Sequence, residues 1–471
     1  MSSLFMRLGR TTLIHFGSQI AVAVSGFAAT LVIARILGSE TLGLYATTVA
    51  LLFWATLPVN AIGSAMNKRI SEGVNQSSFL AAGILLIVFI STILSLLTTV
   101  FGSWINDYVG TSVHILLVFL LLSNSGFIIT NKALNGQKKV GYTGLVQAAN
   151  QVIKAALQIC FITLGYKFGG LVIGHIAAFL VATVLGLRAF DISPTAPRWK
   201  HFKSLYRYAR YSWLGTLQTR SFAWMDTVVL AFFVSPTLIG IYEVAWNLAS
   251  ALALISVSIS TALFPEMSEL GTDNEYEKIT HYVEDALVFA GIFLFPGFIG
   301  AIIVGPRILQ IYSQEFQQGE TILLILIVAR MIAAFGGQFI NTINAINRPD
   351  ITFRINLYFV ITNIILNILL VWVFGWYGAA IATALSAVVL LILGYYFLLI
   401  LIDQLSIPWK ELGYQSIAAC VMGIILFFIN NKISDGNYMT VFLVITGALI
   451  YMLTLISISD QIRSKGIELA L

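Results

Sequence analysis

Fourteen runs of about 20 mostly apolar residues, divided by short polar segments, leave this chain few ways to fold. They centre on residues 12–36, 41–65, 78–101, 112–131, 142–164, 168–187, 209–233, 238–264, 284–304, 319–342, 355–374, 378–402, 412–430 and 438–458. Each is long enough to cross a hydrocarbon layer as a helix, and in hydrocarbon only helices and closed barrels satisfy every backbone amide. Composition agrees. Charged residues make up 10% of the chain, hydrophobic residues 58%, and mean hydropathy is +0.91. Soluble domains run near 25% charged, so a soluble enzyme and a nucleic-acid binder are both excluded. Arg7 and Arg10 flank the first run, but that run is too long for a signal-peptide core and has no clear cleavage site. Cys160 and Cys420 lie inside apolar runs and form neither a disulfide framework nor a metal-ligand spacing.

Lys and Arg favour the cytoplasmic side of a membrane protein. With a cytoplasmic N-terminus, nineteen of the 26 Lys and Arg fall in cytoplasmic segments and four at the outside, namely Arg35, Lys167, Arg307 and Lys432. Three lie inside spans: Lys154, Arg220 and Arg330. This bias predicts both termini in the cytoplasm of a plasma-membrane protein. The loops are too short for a soluble catalytic domain.

The chain repeats itself. A shift of 197 lays ARILGSETLGLY (34–45) on AFFVSPTLIGIY (231–242), matching Ala34 with Ala231, Gly43 with Gly240 and Tyr45 with Tyr242. A shift of 209 matches Asn135 with Asn344, Gly169 with Gly378 and Ala178 with Ala387. These registers predict two six-helix bundles in the same orientation, 1–187 and 209–403. A basic linker, 188–208, joins them, and two further helices occupy 404–471. Trp199, Tyr206 and Tyr208 stand among Lys and Arg, as in a helix lying at the membrane interface. The expected fold class is an all-α polytopic membrane protein of about fourteen transmembrane helices.

Polar residues inside the spans keep the repeat register. Gln147, Lys154 and Gln158 of span five correspond to Asn356, Asn363 and Asn367 of span eleven. Positions 0, +7 and +11 lie within about 40° on a helix, so each helix carries one polar stripe. Asn150 and Gln151 widen the first. The stripes read either as polar seams between helices or as the lining of a water-filled cavity, and a midspan Lys among five polar residues favours the cavity. A midspan charge facing lipid costs at least about 2.5–3.5 kcal/mol. Lys154, Arg220 and Arg330 therefore point to a chamber for an anionic ligand, with internal ion pairing as the alternative. The midspan acids are Asp226 and Glu243. Asp226 is six residues beyond Arg220 and on another face. Arg35 is either a snorkelling residue or a gate partner of Asp226. Glu243 with Asn247, and His15 with Gln19, stand one turn apart and are weaker candidates for the same cleft. Pro58 and Pro296 are candidate kinks. A P-loop and an H-E-x-x-H pair are both missing from the sequence.

The run ARILGSETLGLY, the end of span eight at LFPEMSEL, ALNGQKKVG after span four, and the pair LGYKFGGLVIGHIAA and FGWYGAAIATALSA resemble a known family. It is the polysaccharide-transporter family of lipid-linked oligosaccharide flippases, within the multidrug/oligosaccharidyl-lipid/polysaccharide exporter superfamily. The resemblance covers spans one to twelve. It implies two six-helix bundles around a V-shaped, often cationic cavity, and translocation of a polyprenyl (pyro)phosphate-linked oligosaccharide by alternating access. It also implies no bond chemistry, no cofactor and no metal. The expected partners are that substrate, membrane lipids and a coupling ion (H+ or Na+), with a monomer as the working unit. Asp226 and Arg35 match positions where members carry Asp and Arg. Leu42 departs from the Phe that many have. Lys154, Arg220 and Arg330 match no family position and stand on the physical argument. A multidrug/cation antiporter of the same superfamily is the nearest rival, disfavoured by three midspan cations. A membrane polymerase or ligase would need a longer external loop.

The charge bias makes a direct prediction. Reporter fusions at Asp107 and Asp435 should read external, and fusions at Lys138 and Trp199 cytoplasmic. A cytoplasmic reading at either of the first two sites would overturn this topology.

Overall fold

A computed structural model describes residues 2–272, 275–402, 405–434 and 436–463, and all regular structure among them is helical. The chain divides into two compact units, Met1–Gly240 and Ile241–Leu471. The first contains α1 (Ser2–Ala55), α2 (Leu57–Ser71), α3 (Gln76–Val100), α4 (Gly102–Val109), α5 (His114–Gly136), α6 (Val140–Thr163), α7 (Phe168–Leu187) and α8 (Trp199–Phe233). Then come α9 (Pro236–Leu252), α10 (Leu254–Thr272), α11 (Tyr276–Gln310), α12 (Glu320–Ala345), α13 (Pro349–Phe374), α14 (Trp376–Leu401), α15 (Trp409–Asn430) and α16 (Asn437–Ile458).

Among the described residues, 11 helices are long and apolar enough to cross a membrane, and the broken pair α9–α10 makes a twelfth span. Two of the expected spans are hidden inside α1. Its axis breaks at Gly38, where φ is 78° and ψ is 176°, a conformation that costs a residue with a Cβ. The second part of α1 continues into α2 across Thr56 to complete span two. With α1 divided at Gly38 and α8 counted by its 35 residues, the helices account for the fourteen expected spans.

The break in span two has a local cause. Pro58 has no amide proton and opens α2. Two side-chain bonds add to carbonyls near this break that also accept backbone amides. The Thr56 hydroxyl donates to the Leu52 carbonyl at 2.8 Å, and the Asn60 amide donates to the Thr56 carbonyl at 3.1 Å. Pro296, by contrast, sits inside α11, which runs on to Gln310 as one helix.

In the first unit α6 packs on α1 and α7, and α2 packs on α5 and α8. The compact unit thus runs past residue 187 to include α8, whose Leu205 and Ala209 join Val59, Ile62, Met66 and Leu80 in one buried cluster. In the second unit α12 and α13 both pack on α14, and α11 packs on α15.

One contact inside the first unit follows the sequence repeat. A Cβ on Gly43 would lie 1.8 Å from the Pro236 carbonyl oxygen, and a Cβ on Gly240 would lie 2.0 Å from the Ser39 carbonyl oxygen. Ser39 and Pro236 are themselves related by the shift of 197. Each copy of the motif thus offers its glycine to the other copy's carbonyl, and the contact reads the same in both directions.

Backbone meets backbone here, so no rotamer change can make room. Overpacking typically costs about 1–3 kcal/mol, and Gly43→Ala or Gly240→Ala should reach at least that range. Both should lower the melting temperature of the purified protein. Gly169→Ala, where nothing lies within 4 Å, should not. Equal melting temperatures for all three would contradict the assigned contact.

Candidate functional site

Charge is divided unequally along the chain. Residues 1–240 hold seventeen Lys and Arg against five Asp and Glu, whereas residues 241–471 hold nine against sixteen. The cations of interest in the first unit therefore have few carboxylates to meet.

Helix α6 brings Gln147, Asn150, Gln151 and Lys154 onto one side. Gln147, Gln151 and Lys154 are half-buried and Asn150 is buried. Gly26 of α1 lies against the Gln151 amide, since a Cβ there would be 3.7 Å from Nε2. The Asn150 Oδ1 has no hydrogen-bond partner among the described residues. Lys154 makes no ion pair or hydrogen bond among them, although its charge reaches His175 of α7. One turn further, Gln158 turns inward. Its amide donates to the Tyr45 hydroxyl oxygen at 2.9 Å and to the Leu171 carbonyl at 3.0 Å. Tyr45 and His175 Nδ1 share a hydrogen bond of 2.8 Å. This network ties α1, α6 and α7 together and braces the helix that presents Lys154.

Arg220 extends from α8 over the ring of Phe53, with Cζ 4.1 Å from the centroid. Trp224, one turn on, contacts the same ring at 5.0 Å. Such cation–π contact is worth about 0.5–2 kcal/mol and holds the guanidinium without neutralising it. A second cation bears on this site. Lys132 of α5 donates to the Ser64 hydroxyl of α2 at 3.1 Å and lies within electrostatic reach of Arg220. Neither is ion-paired among the described residues.

In the second unit Arg330 of α12 is held differently. Its guanidinium lies 4.0 Å over the Trp246 ring and donates to the Ser250 hydroxyl, both on α9. On the same helix Asn247 donates to the Glu243 carboxylate at 3.4 Å. Asn363 is fully buried in the α13–α14 seam, with its amide 3.4 Å from the Ser386 hydroxyl, and Asn367 donates to the Asn363 carbonyl at 3.1 Å. A cavity of about 390 Å³ lies among α9, α11, α12, α15 and α16, lined by Leu252, Phe293, Pro296, Met422, Tyr451 and Met452 among other apolar side chains. The Tyr451 hydroxyl, on its wall, is buried and has no partner among the described residues.

Asp226 is buried and Arg35 exposed, and both interact with neighbours. The side chains of His15 and Gln19 lie outside the described residues. The structure thus groups Gln147, Asn150, Gln151 and Lys154, and separately brings Arg220 to a partner that the sequence reading missed. Lys132 was assigned to a loop because hydropathy falls at residue 131, yet α5 runs to Gly136. Tyr45 and His175 were within reach of sequence reasoning, because each lies inside a run quoted above for its family resemblance.

Comparison with known proteins adds an independent line. Residues 8–271 match the family described as polysaccharide biosynthesis protein. The chain is 31% identical over 468 residues to the probable flippase AglR of Haloferax volcanii, covering 98% of both chains. It is 24% identical over 465 residues to the probable low-salt glycan biosynthesis flippase Agl15 of the same organism, again covering 98% of both. Among solved structures, lipid II flippase MurJ in an inward closed conformation superposes with a TM-score of 0.78 at 19% identity, covering 95% of this chain and 98% of that one.

Two ways of holding a cation predict two stability effects. Lys154→Met removes a charge that has no counter-ion among the described residues and should leave the melting temperature unchanged or raise it. Arg330→Met removes a guanidinium bonded to Ser250, and hydrogen bonds to charged groups are worth about 1.5–3 kcal/mol, so its melting temperature should fall. The reverse order would contradict the assignment.

Proposed function

Since the chain belongs to the polysaccharide biosynthesis protein family, we propose that it is a flippase. It carries a polyprenyl (pyro)phosphate-linked oligosaccharide from the cytoplasmic to the external leaflet of the plasma membrane. The observation that carries this reading is the set of cations in the first unit, Lys132, Lys154 and Arg220, set among apolar helices with no carboxylate paired to them among the described residues. A protein that keeps such charges away from water at a cost of several kcal/mol gains from them only when an anion arrives. A sugar headgroup on a phosphate or diphosphate is such an anion, and it cannot cross about 30 Å of hydrocarbon unaided.

In this reading Arg220 and Lys154 bind the phosphate groups, and Gln147, Asn150 and Gln151 replace the water lost by the sugar. Arg330 is a further headgroup-binding candidate within the second unit, where Asn363 stiffens the α13–α14 pair. The apolar cavity beside Tyr451 suits a hydrocarbon chain, because sites of this kind are mostly apolar with a few placed polar groups. The repeat halves, 1–187 and 209–403, are the moving bodies of an alternating-access cycle. Arg35, Asp226 and Glu243 serve as gate or ion-coupling residues for H+ or Na+, and one chain is the working unit. Both termini face the cytoplasm.

Arg forms a bidentate fork with phosphate that Lys cannot. Arg220→Lys should therefore keep the charge and lose much of the transport, and Arg220→Ala should lose nearly all of it. Both should still accumulate in the membrane. The assay scores lipid-linked sugar exposed outside the cell together with protein level. Normal transport in Arg220→Ala refutes the role. Loss of transport only in step with loss of protein makes Arg220 a structural residue.

A further inference from the structure

The first three turns of α8 have no place in the transport site, yet their side chains are sharply sorted. At about 100° per residue, Trp199, Lys203, Tyr206 and Arg210 fall within about 60° of one another, with Lys200 and Arg207 beside them. All six are exposed, Trp199 to 80% and Tyr206 to 65%. The opposite side carries His201, Leu205 and Ala209, all buried. One arc of this helix thus consists of four cations and two large aromatics, and no acid stands on α8 before Asp226.

The helix is fixed in place from below. Leu205 and Ala209 sit in the cluster with α2 and α3, and the His201 ring packs edge-on against Phe79 at 5.0 Å. The Arg198 amide donates to His201 Nδ1 at 3.0 Å, closing the helix start. The preceding linker is pinned too, by Lys139 with Asp191 at 2.6 Å and by the Thr195 amide to the Ser77 carbonyl at 3.3 Å. Acids close by are already engaged. Glu72 pairs with Lys68 and Arg69, and Asp191 with Lys139. The exposed arc therefore presents its charge to whatever lies outside the protein.

We propose that this arc of α8 is a docking face for acidic lipid headgroups of the bilayer, Lys200, Lys203 and Arg207 meeting the phosphates while Trp199 and Tyr206 enter the interface. Charge complementarity selects this occupant, because the Lys and Arg bias puts the arc on the cytoplasmic side, where anionic lipid attracts basic segments. The aromatics select a lipid surface over a free anion, since an indole and a phenol ring favour the boundary between headgroups and acyl chains. The docking face itself does not depend on what the protein transports.

The test is native mass spectrometry of the full-length purified protein titrated with phosphatidylglycerol or phosphatidylcholine. Wild type should retain phosphatidylglycerol in preference. Each basic residue near an anionic surface contributes about 1 kcal/mol, so the triple variant Lys200→Gln, Lys203→Gln, Arg207→Gln should bind it about a hundredfold more weakly. Removing two exposed charges from the opposite side, Lys167→Gln with Lys432→Gln, should leave retention as in wild type, which separates a local site from net charge. Equal retention of the two lipids, or undiminished binding by the triple variant, overturns the proposal. So does displacement of the bound lipid by excess inorganic phosphate, which would mark a simple anion site.

Discussion

A polar group enclosed in hydrocarbon must find its partner inside the chain or be supplied with one from outside. The backbone meets this requirement through helices. At the start of α2, Thr56 and Asn60 add side-chain bonds to carbonyls that also accept backbone amides. At Gly38 the chain turns through a conformation that only glycine adopts readily. The same requirement applied to side chains separates the buried polar groups into two kinds. Gln158, Tyr45 and His175 satisfy one another, as do Gln338 and Ser256. Among the described residues Lys132 meets the neutral Ser64 hydroxyl, Arg220 an aromatic face, and Lys154 no hydrogen bond or ion pair, and this set suggests an incoming anion.

How the cations are held also differs between the two units. Arg220 rests on an aromatic face and has no carboxylate among the described residues to neutralise it. Arg330 combines an aromatic face with a hydroxyl acceptor. A guanidinium over a ring keeps its forked donors available, whereas one locked to an acid would not. Placing Lys132 near Arg220 is unfavourable in the empty protein. In the proposed function that cost is offset when the phosphate groups bound by Arg220 and Lys154 bring negative charge close to the pair.

Most of the architecture was legible in the sequence, because hydropathy acts over whole spans and tolerates errors at their ends. The repeat was legible as well and matched Gly43 with Gly240, but that the two copies touch is a finding of the structure. What escaped were features decided by a neighbouring helix. The stripes on α6 and α13 look alike in sequence, but Asn363 and Asn367 are wholly buried where α13 meets α14, close to the small Ser386, while Lys154 remains half-exposed. Lys132 was lost at a boundary, four residues from the end of α5. Hydropathy cannot distinguish a lysine in a loop from one that reaches back along its helix to a serine on the next.

The central claim is that cations of the first unit, without a paired carboxylate among the described residues, recognise the charged linkage between sugar and lipid. The most direct test measures the affinity of the purified protein for a polyprenyl diphosphate oligosaccharide and for the same oligosaccharide joined to the same lipid without phosphate. Charged hydrogen bonds of about 1.5–3 kcal/mol each predict a preference of about a hundredfold or more for the diphosphate. Equal affinity for the two would contradict the account.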